Sequence, residues 1–209
     1  MAAISRENLT YMTSRINNNS GECKTIIEAG AKNMLDTFNN NWITPSAQEL
    51  ATEIQTSLQD LNEAMLNFFS VLEGKINSVI KLHNQVENDN INYQNIEFQK
   101  TIINLTLNST LPNGKVGVME NVDLSTINKP LDNLKNNLID ELHQLVNTIN
   151  SIDVFNSHEQ NQLEQGINSL INKLNSEMID LENSLKTRLQ QEISLRAQMK
   201  KINESNLSA

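Results

Sequence analysis

Histidine and cysteine are among the residues of this 209-residue chain that could ligate a metal or act as acid, base or nucleophile. His83, His143 and His158 are far apart in sequence and lack metal-ligand spacing with another histidine or a cysteine. The first two are predicted to be solvated helix positions, and His158 a first-turn residue. Cys23 is the only cysteine, and its place on an apolar helical stripe favours a small buried hydrophobe. We expect no metal site here.

Motifs that bind phosphate or activate a nucleophile are also missing from the sequence. There is no Gly-x-Gly-x-x-Gly, no phosphate-binding loop and no Gly-x-Ser-x-Gly elbow. Acidic residues such as Asp60, Glu63 and Glu73 are scattered over polar helix faces, which indicates solvated charge. We therefore expect a protein without catalytic residues or a cofactor, and not an enzyme.

Charge and hydropathy reduce the classes of partner that the chain is expected to bind. The formal net charge is −9, and an acidic chain without a basic cluster is poorly suited to nucleic acid or anionic lipid. No stretch approaches the roughly 20 apolar residues that span a bilayer, so no stable membrane insertion is expected. Residues 1–8 lack the apolar region of a signal peptide, which predicts that any export uses a signal-peptide-independent route.

The elements that would position any site are long helices. Apolar residues recur at steps of three and four from Leu9 to Phe38, which predicts a first amphipathic helix. Gly30 and its alanine neighbours would let another helix approach closely. Thr44 is the predicted N-cap of the second helix and Pro45 its first residue.

The later boundaries are less sharply marked. The second helix is predicted to reach about Asn90, with an extension to about Ile103 as an alternative. The third is predicted to start at Pro130 and the fourth to be capped by Ser157. Residues 105–128 alternate apolar and polar around a turn signal at 112–114, which predicts a linker, either irregular or a short β-hairpin.

The two halves of the chain repeat each other. A shift of 113 residues places the fourth apolar stripe on the second without a gap, from Leu50 on Leu163 to Val86 on Met199. Any two amphipathic helices can be aligned in this way, so the argument depends on the shared order of helix, turn, aromatic residue and long helix.

The predicted fold class is therefore all-α. Two tandem long antiparallel helical hairpins would form an elongated four-helix-bundle-like protein, because a lone hairpin buries too little to be stable. The domains would be residues 1–104, a linker at 105–128 and a second hairpin at 129–209. Whether the hairpins pack together or end to end stays open.

The residues at the first turn resemble a known family. Trp42 is followed by Thr44, Ala47 and Leu50, and a Tyr-x-x-x-Glu sequence, Tyr93 to Glu97, follows about fifty residues later. Residues 4–97 thus resemble the WXG superfamily, small helical hairpins exported by type VII secretion systems. Thr44 stands where that family usually has glycine. The resemblance implies a turn motif at Trp42, Thr44, Ala47 and Leu50, and an export signal at Tyr93 and Glu97.

The geometry expected of these residues is specific. A spacing of four would place Tyr93 and Glu97 on one helical face, one turn apart. Trp42 is also expected to cap the helix corner, with its indole N–H reaching a backbone carbonyl.

The resemblance implies a secreted or surface protein that is cytoplasmic before export. It would act as effector, adaptor or targeting partner in a homo- or hetero-oligomer. Its partners would be the type VII machinery, a WXG-like protein or a second copy. Two alternatives stay open. One is a component of a helical pore-forming toxin, with residues 101–122 as the best inserting segment, and the other is a structural or assembly protein, for instance of a phage.

Overall fold

The computed structural model describes residues 4–96, 98, 101–119 and 122–207, without the side chains of 206 and 207. Within these residues the chain forms four helices, α1 Arg6–Asn41, α2 Pro45–Glu87, α3 Leu124–Ser151 and α4 Ser157–Leu207. Two short strands, β1 Trp42–Ile43 and β2 Gly117–Val118, pair antiparallel. The all-α class is confirmed. The proposed division into domains stays a prediction.

The helices pack as one bundle around a shared apolar core that contains side chains from all four. α1 packs most extensively on α3, and the two run in opposite directions, since Asn19 donates to Glu141 while Gly30 lies against Leu134. A Cβ on Gly30 would lie 2.2 Å from Leu134 Cδ1, so the predicted close approach at this glycine is confirmed.

The other interhelical contacts fix the remaining directions. Ser184 of α4 donates to Glu53 of α2 at 3.0 Å, and Lys75 of α2 donates to Gln162 of α4 at 3.1 Å. These helices are therefore also antiparallel to each other. Around the bundle the order is α1, α2, α4, α3, and each helix runs against both neighbours, so α2 and α3 point the same way.

The chain between α2 and α3 must therefore return along the whole bundle. α2 has 43 residues and is about 65 Å long. The returning chain lies in extended form beside α2, and we call its described residues between 91 and 108 the strap. The predicted extension of α2 to Ile103 is wrong, because Asn88 adopts a left-handed conformation (φ 51°) that ends the helix.

Carboxamide side chains of α2 hold the start of the strap. Asn84 donates to the Ile91 carbonyl at 2.8 Å and accepts the Ile91 N–H at 2.9 Å. Asn77 bonds Gln94 in the same way, at 2.9 and 2.8 Å. Each carboxamide thus supplies the two hydrogen bonds that a neighbouring strand would otherwise give.

Further α2 side chains continue this pattern toward Trp42. They bond the strap backbone at four more positions: Glu73 to Ile96 N, Gln59 to Ile103 O, Gln55 to Leu105 N and Gln48 to Leu107 N. The 36 helical positions from Asn84 to Gln48 span about 54 Å, and 16 chain steps, the number from Ile91 to Leu107, would cover about 53 Å at the rise of extended chain. The two lengths match, so the contacts stay in register.

Alternate strap residues point into the bundle within each of two parts, 96–98 and 101–105. Ile96, Phe98, Ile103 and Leu105 are buried, and Phe98 stacks on Phe69 with ring centroids 5.1 Å apart. The alternation noted in the sequence began only at Leu105, so this extended packing of strap residues 96–103 was not predicted. The β-hairpin alternative is wrong in its pairing, because β2 pairs with β1 across the bundle end and not with a strand of the linker.

Two predicted helix starts are corrected. α3 begins before Pro130, because Asp123 Oδ1 accepts the Thr126 N–H at 2.8 Å and closes one more turn. The connection between α2 and α3 therefore ends at Asp123 and not at 128, and it begins after Glu87 and not after 104. α4 is capped by Asn156 and not by Ser157, since Asn156 Oδ1 accepts the Glu159 N–H at 3.0 Å and Glu159 accepts the Asn156 N–H at 3.2 Å.

His83 is buried, so its predicted solvation is wrong. The helical period continues the core face of α2 from Ile76 and Ile80 to position 83, and Leu82 is left exposed. His83 Nε2 lies 3.3 Å from Asp89 Oδ2.

Removal of one bridging carboxamide tests the strap. We expect Asn77→Ala to lower the free energy of unfolding by about 1–3 kcal/mol, because two hydrogen bonds at a half-buried site are lost. Urea denaturation followed by circular dichroism measures this. Asn92→Ala is the control, since Asn92 is exposed and its side chain forms no hydrogen bond within the described residues. Equal losses in both variants would contradict the role given to Asn77.

Candidate functional site

The turn between α1 and α2 buries the chain's only tryptophan. Trp42 ends α1, where its backbone N–H donates to the Phe38 carbonyl, and its side chain is 0% exposed. The ring packs on Phe38 at a centroid distance of 5.7 Å, and the backbone pairs with Val118. The predicted packing role is confirmed. The predicted hydrogen bond is wrong, because Trp42 Nε1 has no partner within the described part of the chain.

The residues after Trp42 start α2 as predicted. Thr44 Oγ1 accepts the Ala47 N–H at 3.1 Å, and Pro45 is the first helical residue. The φ of Thr44 is −145°, which any residue adopts, so this turn does not require the family's glycine. Ala47 and Leu50 are fully buried beneath the turn.

Arginines of α4 hold the turn from outside. Arg188 donates to Glu49 at 2.8 Å and to Glu53, and lies 3.5 Å from the Ser46 carbonyl. Arg196 donates to the carbonyl of Val118, the β2 residue that pairs with Trp42, at 2.6 Å. Sequence reasoning missed both arginines. The sequence feature that could have identified them is the position of both positive charges at helical spacing next to the apolar stripe of α4.

The second part of the predicted motif has a different geometry. Tyr93 lies in the strap, in extended chain and not in a helix, with its side chain 63% exposed. Glu97 lies outside the described residues. The prediction that Tyr93 begins a helical Tyr-x-x-x-Glu face is therefore wrong, because α2 ends at Glu87.

The structure does not bring Trp42 and Tyr93 together. Gln94, the residue after Tyr93, lies beside Asn77, and 32 helical positions separate Asn77 from Pro45. At 1.5 Å per residue, Tyr93 lies about 50 Å from the Trp42 turn. One residue is a buried corner and the other an exposed side chain near the opposite end of the bundle.

A charged cluster lies at that opposite end. Asp89 Oδ1 accepts from Arg6 at 2.5 Å and from the Asn90 N–H at 2.8 Å, and its other oxygen faces His83. The Asn90 N–H, the His83 ring and the Arg6 guanidinium lower the pKa of Asp89 below its usual value. The cluster joins the first turn of α1 to the start of the returning chain.

Metal ligation, membrane insertion and thiol chemistry find little support in the described residues. Among the described residues, no three His, Cys, Asp or Glu side chains converge as metal ligands, and no helix has the length and apolar content of a membrane span. Burial raises the pKa of the Cys23 thiol, with Glu141 adding to the effect, so its reactive thiolate is disfavoured.

Comparisons of the chain with protein-family models, with curated proteins and with solved structures find no match.

Truncation of the tryptophan tests the corner. We expect Trp42→Ala to lower the free energy of unfolding by about 3–5 kcal/mol, because a large buried ring is replaced by a cavity. Trp42→Phe should cost less than half of that, since it keeps a ring and removes an unpaired N–H. Circular dichroism in urea measures both. Val71→Ala, at an exposed site, should change stability by no more than about 0.5 kcal/mol. A Trp42→Ala loss of that size would contradict the packing role.

The Asp89 cluster should make the stability of the fold depend on pH. Because the folded-state pKa is lowered, the Asp89 charge stabilises the fold above the ordinary aspartate pKa of about 3.9, and the benefit is lost as pH falls through the folded-state value. We expect wild type to melt above Asp89→Asn at about pH 6 and the two to converge toward about pH 2. Thermal melts at several pH values measure this. A constant difference would show that the charge is not responsible.

Proposed function

We propose that this protein is a secreted, non-enzymatic, WXG-like helical protein exported by a type VII secretion system. In this proposal it is made in the cytoplasm, needs no cofactor and leaves the cell folded. It then acts as effector, adaptor or targeting partner through helix contacts with other proteins, as part of a homo- or hetero-oligomer.

The buried tryptophan corner is the observation that carries the proposal. Two long antiparallel helices meet at Trp42, the second is capped by Thr44, and Ala47 and Leu50 pack beneath. The same residues carry the resemblance to the exported hairpins. A folded rod of this kind requires no cleft or reactive group to act, since its surface alone can bind.

We extend the proposal to a tandem origin, with α3 and α4 as a degenerate second hairpin. Phe155 takes the place of Trp42 at the second turn and is likewise buried. Asn156 then caps α4, as Thr44 caps α2 one residue further from its aromatic. The two corners thus use the same order of aromatic residue, cap and long helix.

Within this proposal the two motif residues have separate roles. Trp42 is 0% exposed, so a receptor cannot touch its side chain while the bundle is folded. Tyr93 is exposed on the strap and is available for contact. We assign Trp42 to the integrity of the exported fold and Tyr93 to recognition by the secretion machinery.

Export can be tested in the producing cell. We expect the protein in the culture medium of wild type, and inside the cell when the secretion ATPase is deleted or Tyr93 is changed to Ala. The matched control is Tyr11→Ala, which removes the other tyrosine, 58% exposed on α1. Immunoblots of cell and medium fractions measure the distribution. Unchanged release of Tyr93→Ala together with unchanged release without the ATPase would end the proposal.

A structural or assembly protein is the second candidate, and the end of α4 favours it. Beyond Leu189, α4 exposes Leu195, Met199 and Ile202 at steps of four and three. Since α2 begins beside Arg188, this apolar stripe continues past its neighbouring helix. Retention of every variant in the cell, with or without the ATPase, would favour assembly over export.

A further inference from the structure

A cleft of about 540 Å³ lies between α1 and residues 101–104 of the strap. Lys24, Lys32 and Leu35 line it from α1, and Ile102 and Asn104 from the strap. It lies on the side of the strap that faces away from α2. No part of the Trp42 turn and no part of the Tyr93 region contributes to it.

The strap presents an unpaired strand edge to this cleft. Its bonds to α2 use Ile103, Leu105 and Leu107, and alternate residues of an extended chain direct their N–H and C=O groups to opposite edges. Ile102 and Asn104 therefore face the α1 side. Neither of their N–H groups donates a hydrogen bond within the described residues. A free edge of this kind is a template for another extended chain.

The side chains around the edge are apolar and basic. Ile102 is 92% exposed, an unusual position for an isoleucine, and Leu35 is partly buried beside it. Lys32 forms no ion pair in the part of the chain that is described, while Lys24 lies 3.8 Å from Glu28. In a chain of net charge −9, this cleft has one lysine more than it has carboxylates.

We propose that the cleft binds an extended segment of a partner protein that alternates acidic and apolar residues. The segment adds to the strap as a strand, and its backbone pairs with Ile102 and Asn104. Its apolar side chains cover Ile102 and Leu35, and its carboxylates reach Lys32. This surface goes beyond the proposed export function and works whether or not the chain is secreted.

The occupant is a flexible segment and not the strap of a second copy. In every copy the free strap edge lies beside its own α1. Two folded copies could not bring these edges together without a collision of their α1 helices. The lysines favour a negatively charged segment and disfavour a basic one.

A labelled peptide tests the proposal on the full-length chain. The probe is a fluorescein-tagged eight-residue peptide that alternates aspartate and valine, followed by fluorescence polarisation at low salt. We expect saturable binding that weakens as salt is added. A lysine–valine peptide should bind at least about tenfold more weakly because it lacks the negative charge. The acidic peptide with N-methylated valines should be weakened as much because it lacks the backbone N–H donors.

Matched charge reversals locate the site. Lys32→Glu should weaken binding of the acidic peptide by about tenfold or more, whereas Lys81→Glu, at an exposed α2 position outside the cleft, should change it less than about twofold. Circular dichroism checks that both variants fold. Amide NMR signals of Ile102 and Asn104 should shift on binding. No binding by the acidic peptide, equal binding by its N-methylated form or equal effects of the two reversals would overturn the proposal.

Discussion

The shared direction of α2 and α3 is the constraint on which the rest of this structure depends. It forces the connecting chain back along the bundle, where an isolated extended segment has no neighbouring strand to satisfy its backbone. Asparagine and glutamine side chains of α2 supply those hydrogen bonds instead. The strap then fills the space between α1 and α2 with alternate apolar side chains, so α1 makes its largest contact with α3.

In this arrangement the two ends of the bundle are closed by different contacts. At one end, the Trp42 corner is closed by β2, and arginines of α4 brace the turn and β2 from outside. At the other end, Asp89 joins the start of α1 to the chain leaving α2, and Tyr93 follows on the surface. The side chains of the corner are buried, while the strap presents exposed groups such as Tyr93 and Ile102.

The sequence predicted the parts of the fold that local chemistry determines. Apolar periodicity located the four helices, and the Thr44-Pro45 pair located the start of α2 and the corner residues of the candidate site. Periodicity does not reveal the direction of α3, so neither the strap nor the position of Tyr93 followed from it. The sequence did not separate the α2 carboxamides that bond the strap from a solvent-exposed helix face. A polar side chain that contacts water and one that contacts another backbone are the same residue type at the same helical spacing. Asp123 was missed because Pro130 gave a second, equally regular helix start.

The matched rise of helix and strap also limits how such a chain can change in length. Fourteen added residues lengthen α2 by about 21 Å, which six added strap residues recover at about 3.3 Å each, and an even number keeps the same strap residues facing the core. An insertion in α2 alone would leave the Asn77 and Asn84 partners out of reach, and an insertion in the strap alone would bulge. Longer or shorter versions of this bundle should therefore differ by paired increments, fourteen in the helix for six in the returning chain.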